Sequence, residues 1–343
     1  MLDLMISPQS IEAVKDIISK GSKFVILAHR NPDGDAVGST TALALFLRSL
    51  GKAADIILPN SFPDFLAWLP AAADIVNAEC EKERSLELIR DADALFCLDF
   101  NALSRIGELV GAVEHSNAPR VLVDHHPLPE DVFEVQISHP AACSTSELVF
   151  RLIYHIGTLE ALTKEMAESV YTGMMTDTGN FAYASNRKDI YIILSCLIAA
   201  GIDKDIIYRR VFYNYTVNRL KLVGFMMYDK LRVMPAYNAA LLTLSYKEMR
   251  RFNVSKGDTE GVVNMPLQIK GVRFVCFFRE EVPGKINVSL RSVDDFPCNL
   301  VAAEFFAGGG HKNASGGEVY GTMEYATERF RTALAKYKEL LTK

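Results

Sequence analysis

Apolar positions in the first 125 residues fall in short continuous runs. Residues 23–28 (KFVILA), 54–58 (ADIIL), 94–98 (ALFCL) and 120–123 (RVLV) are the clearest. Runs of this kind predict strands buried on both faces. Helix-favouring segments lie between them at 36–50 (stopped by Gly51), 81–92 and 104–114. Strands alternating with helices predict a parallel sheet covered on both sides, with ligands collecting outside the carboxyl ends of its strands. From 144 to 230 the pattern is almost wholly helical: 144–156, 164–176, 188–200, 203–213 and 216–230. After Pro235, strand-like runs return at 239–245, 272–279 and 285–291. A helical segment at 296–307, a glycine-rich loop at 308–317 and a charged helix at 325–343 follow. The expected fold class is α/β, with a parallel-sheet domain over 1–212, a helical connector over 213–235 and a smaller α+β domain over 236–343.

Composition narrows the class. With 343 residues, 49% hydrophobic, and a net charge of only −5, the chain is not disordered as a whole. Its longest apolar stretches, such as 190–200, fall short of the roughly 18–20 residues of a membrane span, so no membrane partner is expected. The N-terminus lacks the pattern of an export signal, and the six cysteines (Cys80, Cys97, Cys143, Cys196, Cys276, Cys298) show no C-x-x-C spacing. A cytoplasmic location with buried or free thiols is expected. Mild acidity argues against binding long duplex nucleic acid, while leaving room for a small anion held by a few cations. Apolar helix faces between 154 and 230 read either as buried packing or as a homodimer interface.

The chemistry gathers at the strand ends. After 23–28 come His29, Asp33 and Asp35; after 94–98 comes Asp99; after 120–123 come Asp124, His125 and His126; Asp177 ends a helical run. Taken singly, each reads as a turn residue, a helix cap or a structural histidine. Taken together, five carboxylates and three imidazoles at one edge repel unless cations sit among them. The ligand types, imidazole and carboxylate without thiolate, suit Mn²⁺ first, with Mg²⁺, Co²⁺ or Fe²⁺ behind it. The donors are too many for one ion and suit two. A carboxylate-bridged pair about 3.5–4 Å apart is a common device for hydrolysing phosphate esters.

A second informative stretch is 308–317, GGGHKNASGG. Its glycines read either as a flexible turn or as backbone N–H groups approaching a phosphate, with His311, Lys312 and Asn313 beside them and Arg291 upstream. Arg105, soon after Asp99, reads either as a cation at the metal edge or as a helix surface charge.

HRNPDGDAVGS, Asp99 in CLDFN, Asp124-His125-His126 and Thr176-Asp177-Thr178-Gly179 resemble the four motifs of the DHH phosphoesterases, in the family's order. The C-terminal part resembles the DHH-associated domain through Arg291-Ser292 and the glycine-rich stretch. Within the family the chain is most similar to the short nanoRNase and phosphoadenosine-phosphate phosphatase type. That resemblance implies a DHH catalytic domain, a DHH-associated substrate-binding domain, and hydrolysis of very short single-stranded RNA and of 3′-phosphoadenosine 5′-phosphate, usually with Mn²⁺. It implies one ion held by His29, Asp33 and Asp99, and a second held by Asp35, Asp99, His125 and Asp177. Asp124 would orient an imidazole or brace the loop, and His126 would face the substrate as hydrogen-bond donor or acid. Substrate contacts would come from Arg291, Ser292, Gly309, Gly310, His311, Asn313 and Ser315, with Arg105 as a further candidate. A cyclic- or linear-dinucleotide phosphodiesterase is the alternative; an inorganic pyrophosphatase or exopolyphosphatase, or an inactive nucleotide-binding regulator, stands behind it.

Overall fold

The structure is a computed structural model that describes residues 5–157, 159–213, 215–255 and 257–343. The chain divides into two compact units, Met1–Asn214 and Tyr215–Lys343, so the segment expected as a connector falls mostly in the second.

The first unit runs α1 (Pro8–Lys20), β1 (Lys23–Leu27), α2 (Gly34–Ser49), β2 (Ala53–Leu58), β3 (Val76–Asn77), α3 (Lys82–Arg90), β4 (Ala94–Leu98), α4 (Val110–Glu114), β5 (Arg120–Asp124), β6 (Val135–Ser138), α5 (Thr145–Gly157), α6 (Lys164–Asp177), α7 (Lys188–Ala199) and α8 (Lys204–Phe212). Its sheet is parallel throughout, in the order β3-β2-β1-β4-β5-β6. The order reverses between β1 and β4, the switch point outside whose carboxyl ends ligands bind in sheets of this kind. Phe24 and Ile26 of β1 join a core with residues of α2, α5 and α6, while Val25 and Leu27 join another with residues of α3 and α4. Burial on both faces explains why the strands read as unbroken apolar runs. Glycine lets α2 press against α6: a methyl on Gly38 would lie 2.6 Å from the Ser169 carbonyl oxygen, and one on Gly34 would meet Thr176. The segment expected as one helix at 104–114 is instead a 3₁₀ turn, Leu103–Leu109, followed by α4. Gly107, at φ 60°, breaks the helical path.

The second unit runs α9 (Val217–Phe225), β7 (Arg232–Met234), β8 (Ala239–Leu244), α10 (Tyr246–Arg251), β9 (Phe274–Val282), β10 (Lys285–Ser292), α11 (Cys298–Phe305), β11 (Gly309–His311), β12 (Ala314–Tyr320), α12 (Met323–Lys336) and α13 (Lys338–Leu341). Its mixed sheet has the order β11-β12-β10-β9-β8-β7, with β8 and β9 parallel and the other pairs antiparallel. One face packs on α11 and α12, the other on α9.

The glycine-rich stretch is not the loop its composition suggests. It forms the β11–β12 hairpin, and β12 pairs along β10 from Arg291↔Ala314 to Lys285↔Tyr320. A methyl on Gly308 would sit 1.8 Å from the Gly316 carbonyl oxygen, and one on Gly317 would sit 2.3 Å from that of Phe306. Backbone crowding therefore accounts for these two glycines. Among the described residues no helix is long and apolar enough to cross a membrane.

Candidate metal centre

The turn after β1 brings the first donors together. Asp33 caps α2, its Oδ1 accepting the backbone N–H groups of Asp35 and Ala36 at 3.0 and 3.1 Å. The same Oδ1 lies 3.9 Å from His29 Nε2, and His29 Nδ1 lies 2.9 Å from the Arg30 carbonyl oxygen. Asp99 follows β4 at φ 64°, a left-handed conformation uncommon outside glycine that aspartate adopts more readily than most residues. Its two oxygens face different partners. Oδ2 is 3.4 Å from His29 Nε2, whereas Oδ1 is 3.7 Å from His125 Nε2. His125 Nε2 also lies 3.5 Å from Asp177 Oδ2, at the end of α6. Asp35 is buried in the first turn of α2, its carboxylate receiving the Thr145 and Ser146 backbone N–H groups of α5 at 2.6 and 2.9 Å.

The donor atoms of His29, Asp33 and Asp99 all lie within 4.8 Å of one another, as do those of Asp35, His125 and Asp177. Most of the imidazole–carboxylate spacings between them, 3.4–3.9 Å, exceed an ordinary hydrogen bond. They suit two ligands sharing an ion at bonds of about 2.1 Å. His126 differs: its Nδ1 is 2.7 Å from Asp124 Oδ1, a true hydrogen bond to a fully buried carboxylate.

The electrostatics show a cluster short of positive charge. Burial works against the His29 imidazolium, yet Asp99 and Asp33 outweigh it and push the group up to about 9. For His125 burial is again outweighed, by Asp177, Asp99 and Asp35, and it also rises to about 9. Burial, aided by Asp99 and Asp177, holds the Asp35 carboxyl well above the usual carboxylate range. Asp177 is pushed up to about 7, first by burial and then by Asp33 and Asp99, against His125. Asp99 alone is held below the usual range, burial being overcome by His29 and the two neighbouring imidazoles. The remaining charge calls for cations, and the donor set fits a pair of divalent ions.

In the second unit the side chains named from the sequence are well tethered. Asn313 Nδ2 donates to Ser292 Oγ and to the Asp294 and Phe296 carbonyl oxygens, tying the hairpin turn to the β10–α11 connection. Ser292 Oγ donates to the Phe296 carbonyl oxygen at 2.7 Å, and Ser315 Oγ lies 3.1 Å from Cys298 Sγ. Arg291 Nη1 bonds its neighbour's carbonyl oxygen, on Leu290, and exposed Lys312 pairs with Asp295. Gly309, Gly310 and His311 are the three residues of β11, Gly310 at φ 135°. In the first unit, Arg105 is near enough to His29 for its charge to oppose that imidazolium, and its carbonyl oxygen accepts the Arg30 N–H at 2.7 Å.

Comparison with known proteins gives the family. Residues 23–174 match the DHH family, N-terminal domain, and residues 238–343 match the DHHA1 domain. The chain belongs to the DHH/DHHA1 phosphoesterase family. A solved structure, that of an exopolyphosphatase-related protein from Bacteroides fragilis, is 49% identical, with a TM-score of 0.96 and 100% of both chains covered. A Streptococcus mutans relative named a probable bifunctional oligoribonuclease and PAP phosphatase, NrnA, is 26% identical over 91% of this chain and 95% of its own length. A Geobacillus thermodenitrificans cyclic-di-AMP phosphodiesterase, GdpP, is 24% identical over 95% of this chain and 49% of its own.

This DHH unit also uses residues that the sequence reading passed over. Asn60, just beyond β2, clamps the metal-side turn, accepting the Asn31 N–H at 2.7 Å and donating to its Oδ1 at 2.9 Å. A strand-end position was the available signal. Thr145 and Ser146 look like ordinary helix-start residues in CSTSE and give no sign of touching Asp35. Leu128, two residues after His126, is 88% exposed at φ 58°. Its loop is braced by Asn101, which bonds the Pro127 carbonyl oxygen and the Glu130 N–H.

Proposed function

We propose that this protein is a two-metal phosphoesterase that hydrolyses short oligoribonucleotides and 3′-phosphoadenosine 5′-phosphate to mononucleotides and phosphate. The observation that carries the reading is the division of the Asp99 carboxylate between two donor sets. His29, Asp33 and Asp99 would hold one ion, and Asp35, Asp99, His125 and Asp177 the other, with Mn²⁺ preferred by ligand type over Mg²⁺ or Co²⁺. When bound, such a pair supplies Lewis acidity toward phosphoryl oxygens and acidifies water at neutral pH.

The chain's own groups do the rest. Asp124 takes the hydrogen bond from His126 Nδ1, which fixes the orientation of the ring. Nε2, on the opposite side of the ring, then donates to a phosphoryl oxygen or protonates the leaving oxygen. Arg291, with its planar fork, and His311 are assigned to substrate phosphate and nucleoside. Arg291→Ala then raises KM more than it lowers kcat. The chain's net charge of −5 fits a substrate with few phosphates, and free cysteines fit a reducing cytoplasm.

The relatives support this reading through the names they carry, and those names also set the controls. Purified protein is assayed with Mn²⁺ against 3′-phosphoadenosine 5′-phosphate, a linear diribonucleotide, cyclic di-AMP and polyphosphate. Turnover of the first two supports the proposal. Turnover of cyclic di-AMP alone moves the assignment to a cyclic-dinucleotide phosphodiesterase, and turnover of polyphosphate alone refutes the substrate class.

A further inference from the structure

We propose that Thr145 is a positioning residue whose buried hydroxyl sets the rotation of the Asp99 carboxylate, so that one oxygen is turned to His29 and the other to His125. The inference rests on the two-metal reading above and adds to it the group that orients the shared ligand.

The last torsion of an aspartate is broad and roughly two-fold, so its own geometry does not hold the carboxylate plane. At φ 64° the Asp99 backbone fixes where the side chain leaves the main chain, and something else must fix the rotation. Thr145 Oγ1 lies 3.0 Å from Asp99 Oδ1. An ionised carboxylate only accepts, so the hydroxyl donates its single proton there. That leaves Oδ2 turned to His29 at 3.4 Å and Oδ1 turned to His125 at 3.7 Å. The threonine is fully buried.

Thr145 is well placed to act as a fixed reference. It is the first residue of α5, and its backbone N–H bonds Asp35 Oδ2 at 2.6 Å. One residue thus touches the shared carboxylate with its side chain and a ligand of the second set with its backbone. The turn that carries it is itself locked. Ser144 Oγ accepts the Glu147 N–H at 3.1 Å, and Glu147 Oε2 accepts the Cys143 N–H at 2.8 Å. Glu147 is in turn paired with Arg151 and Arg187, and Arg151 with Asp189 at 2.7 Å. Partners of metal-ligating carboxylates at this remove typically change metal affinity or activity by about 10- to 100-fold.

The test compares Thr145→Val, which replaces the hydroxyl by a methyl of similar size, with Thr145→Ser, which keeps it. Mn²⁺ binding is followed by calorimetry, and electron paramagnetic resonance reports whether two bound ions are exchange-coupled through a shared ligand. Thermal unfolding checks the fold, and Thr145→Ala stands in if the valine variant does not fold. Wild type and Thr145→Ser bind two ions with a coupled signal. Thr145→Val binds the first ion normally, binds the second about 10- to 100-fold more weakly, and loses the coupled signal at stoichiometric Mn²⁺. Thr145→Val indistinguishable from wild type overturns this inference alone, as does Thr145→Ser failing as badly as Thr145→Val. Wild type binding no ion pair overturns the two-metal reading and this inference together.

Discussion

At the scale of single residues, Asp99 and His126 have separable parts. Asp99 turns one oxygen to His29 and the other to His125, whereas His126 is engaged by Asp124 at 2.7 Å. Asp99→Ala abolishes turnover and lowers bound Mn²⁺; His126→Ala keeps the metal and loses about 10²-fold or more in kcat. Metal analysis beside kinetics separates the two, and equal effects on both quantities contradict the assignment. Leu128 carries a different prediction. A leucine 88% exposed at φ 58° buries little and bears left-handed strain. Leu128→Asn, which tolerates that conformation better, raises stability by about 1 kcal/mol in urea unfolding; a lower midpoint counts against the strain. Residues whose type is itself chemical, such as His29 and Asp177, were legible from the sequence. Thr145 and Asn60 were not, because hydroxyl and amide groups serve caps and turns far more often than sites, and only distance tells the uses apart.

At the scale of elements, the first turn of α5 holds a buried ionic cluster with a pH signature. Burial raises the Glu147 carboxyl, but the hydrogen bonds from Arg187 and Cys143 and the charges of Arg187 and Arg151 outweigh it and hold it below its ordinary value. A carboxyl depressed in the folded state contributes stability above its unfolded value, 4.5 for glutamate, and loses it as pH falls through the folded value. Glu147→Gln is therefore clearly less stable than wild type at neutral pH, by about 3–5 kcal/mol for a broken buried pair. The gap narrows as pH drops below about 4.5. Chemical unfolding of both proteins across that range checks it, and a gap independent of pH contradicts the cluster's role. The central strands and their order of donors were readable because strands buried on both faces leave continuous apolar runs. The β11–β12 hairpin was not, because five glycines in ten residues signal turns by composition, while the crowding of Gly308 and Gly317 against neighbouring carbonyls exists only once the sheet has formed.

At the scale of the whole molecule, the sheet order β3-β2-β1-β4-β5-β6 explains why donors so distant in sequence meet. His29 follows β1, Asp99 follows β4 and His125 follows β5, three adjacent strands running the same way. Any chain that closes this parallel sheet must bring those three ends to one edge. α5 and α6, reaching the same edge, add Thr145 and Asp177. The second unit has its own sheet and cores, and these take in Leu222 and Met226 ahead of the change of texture at Pro235. Anomalous diffraction from crystals grown with Mn²⁺ tests the central claim most directly. Two peaks are expected, one among His29, Asp33 and Asp99 and one among Asp35, His125 and Asp177, with Asp99 between them. A map with no peak at these residues, or with a single ion that leaves His29 or Asp177 unligated, contradicts it.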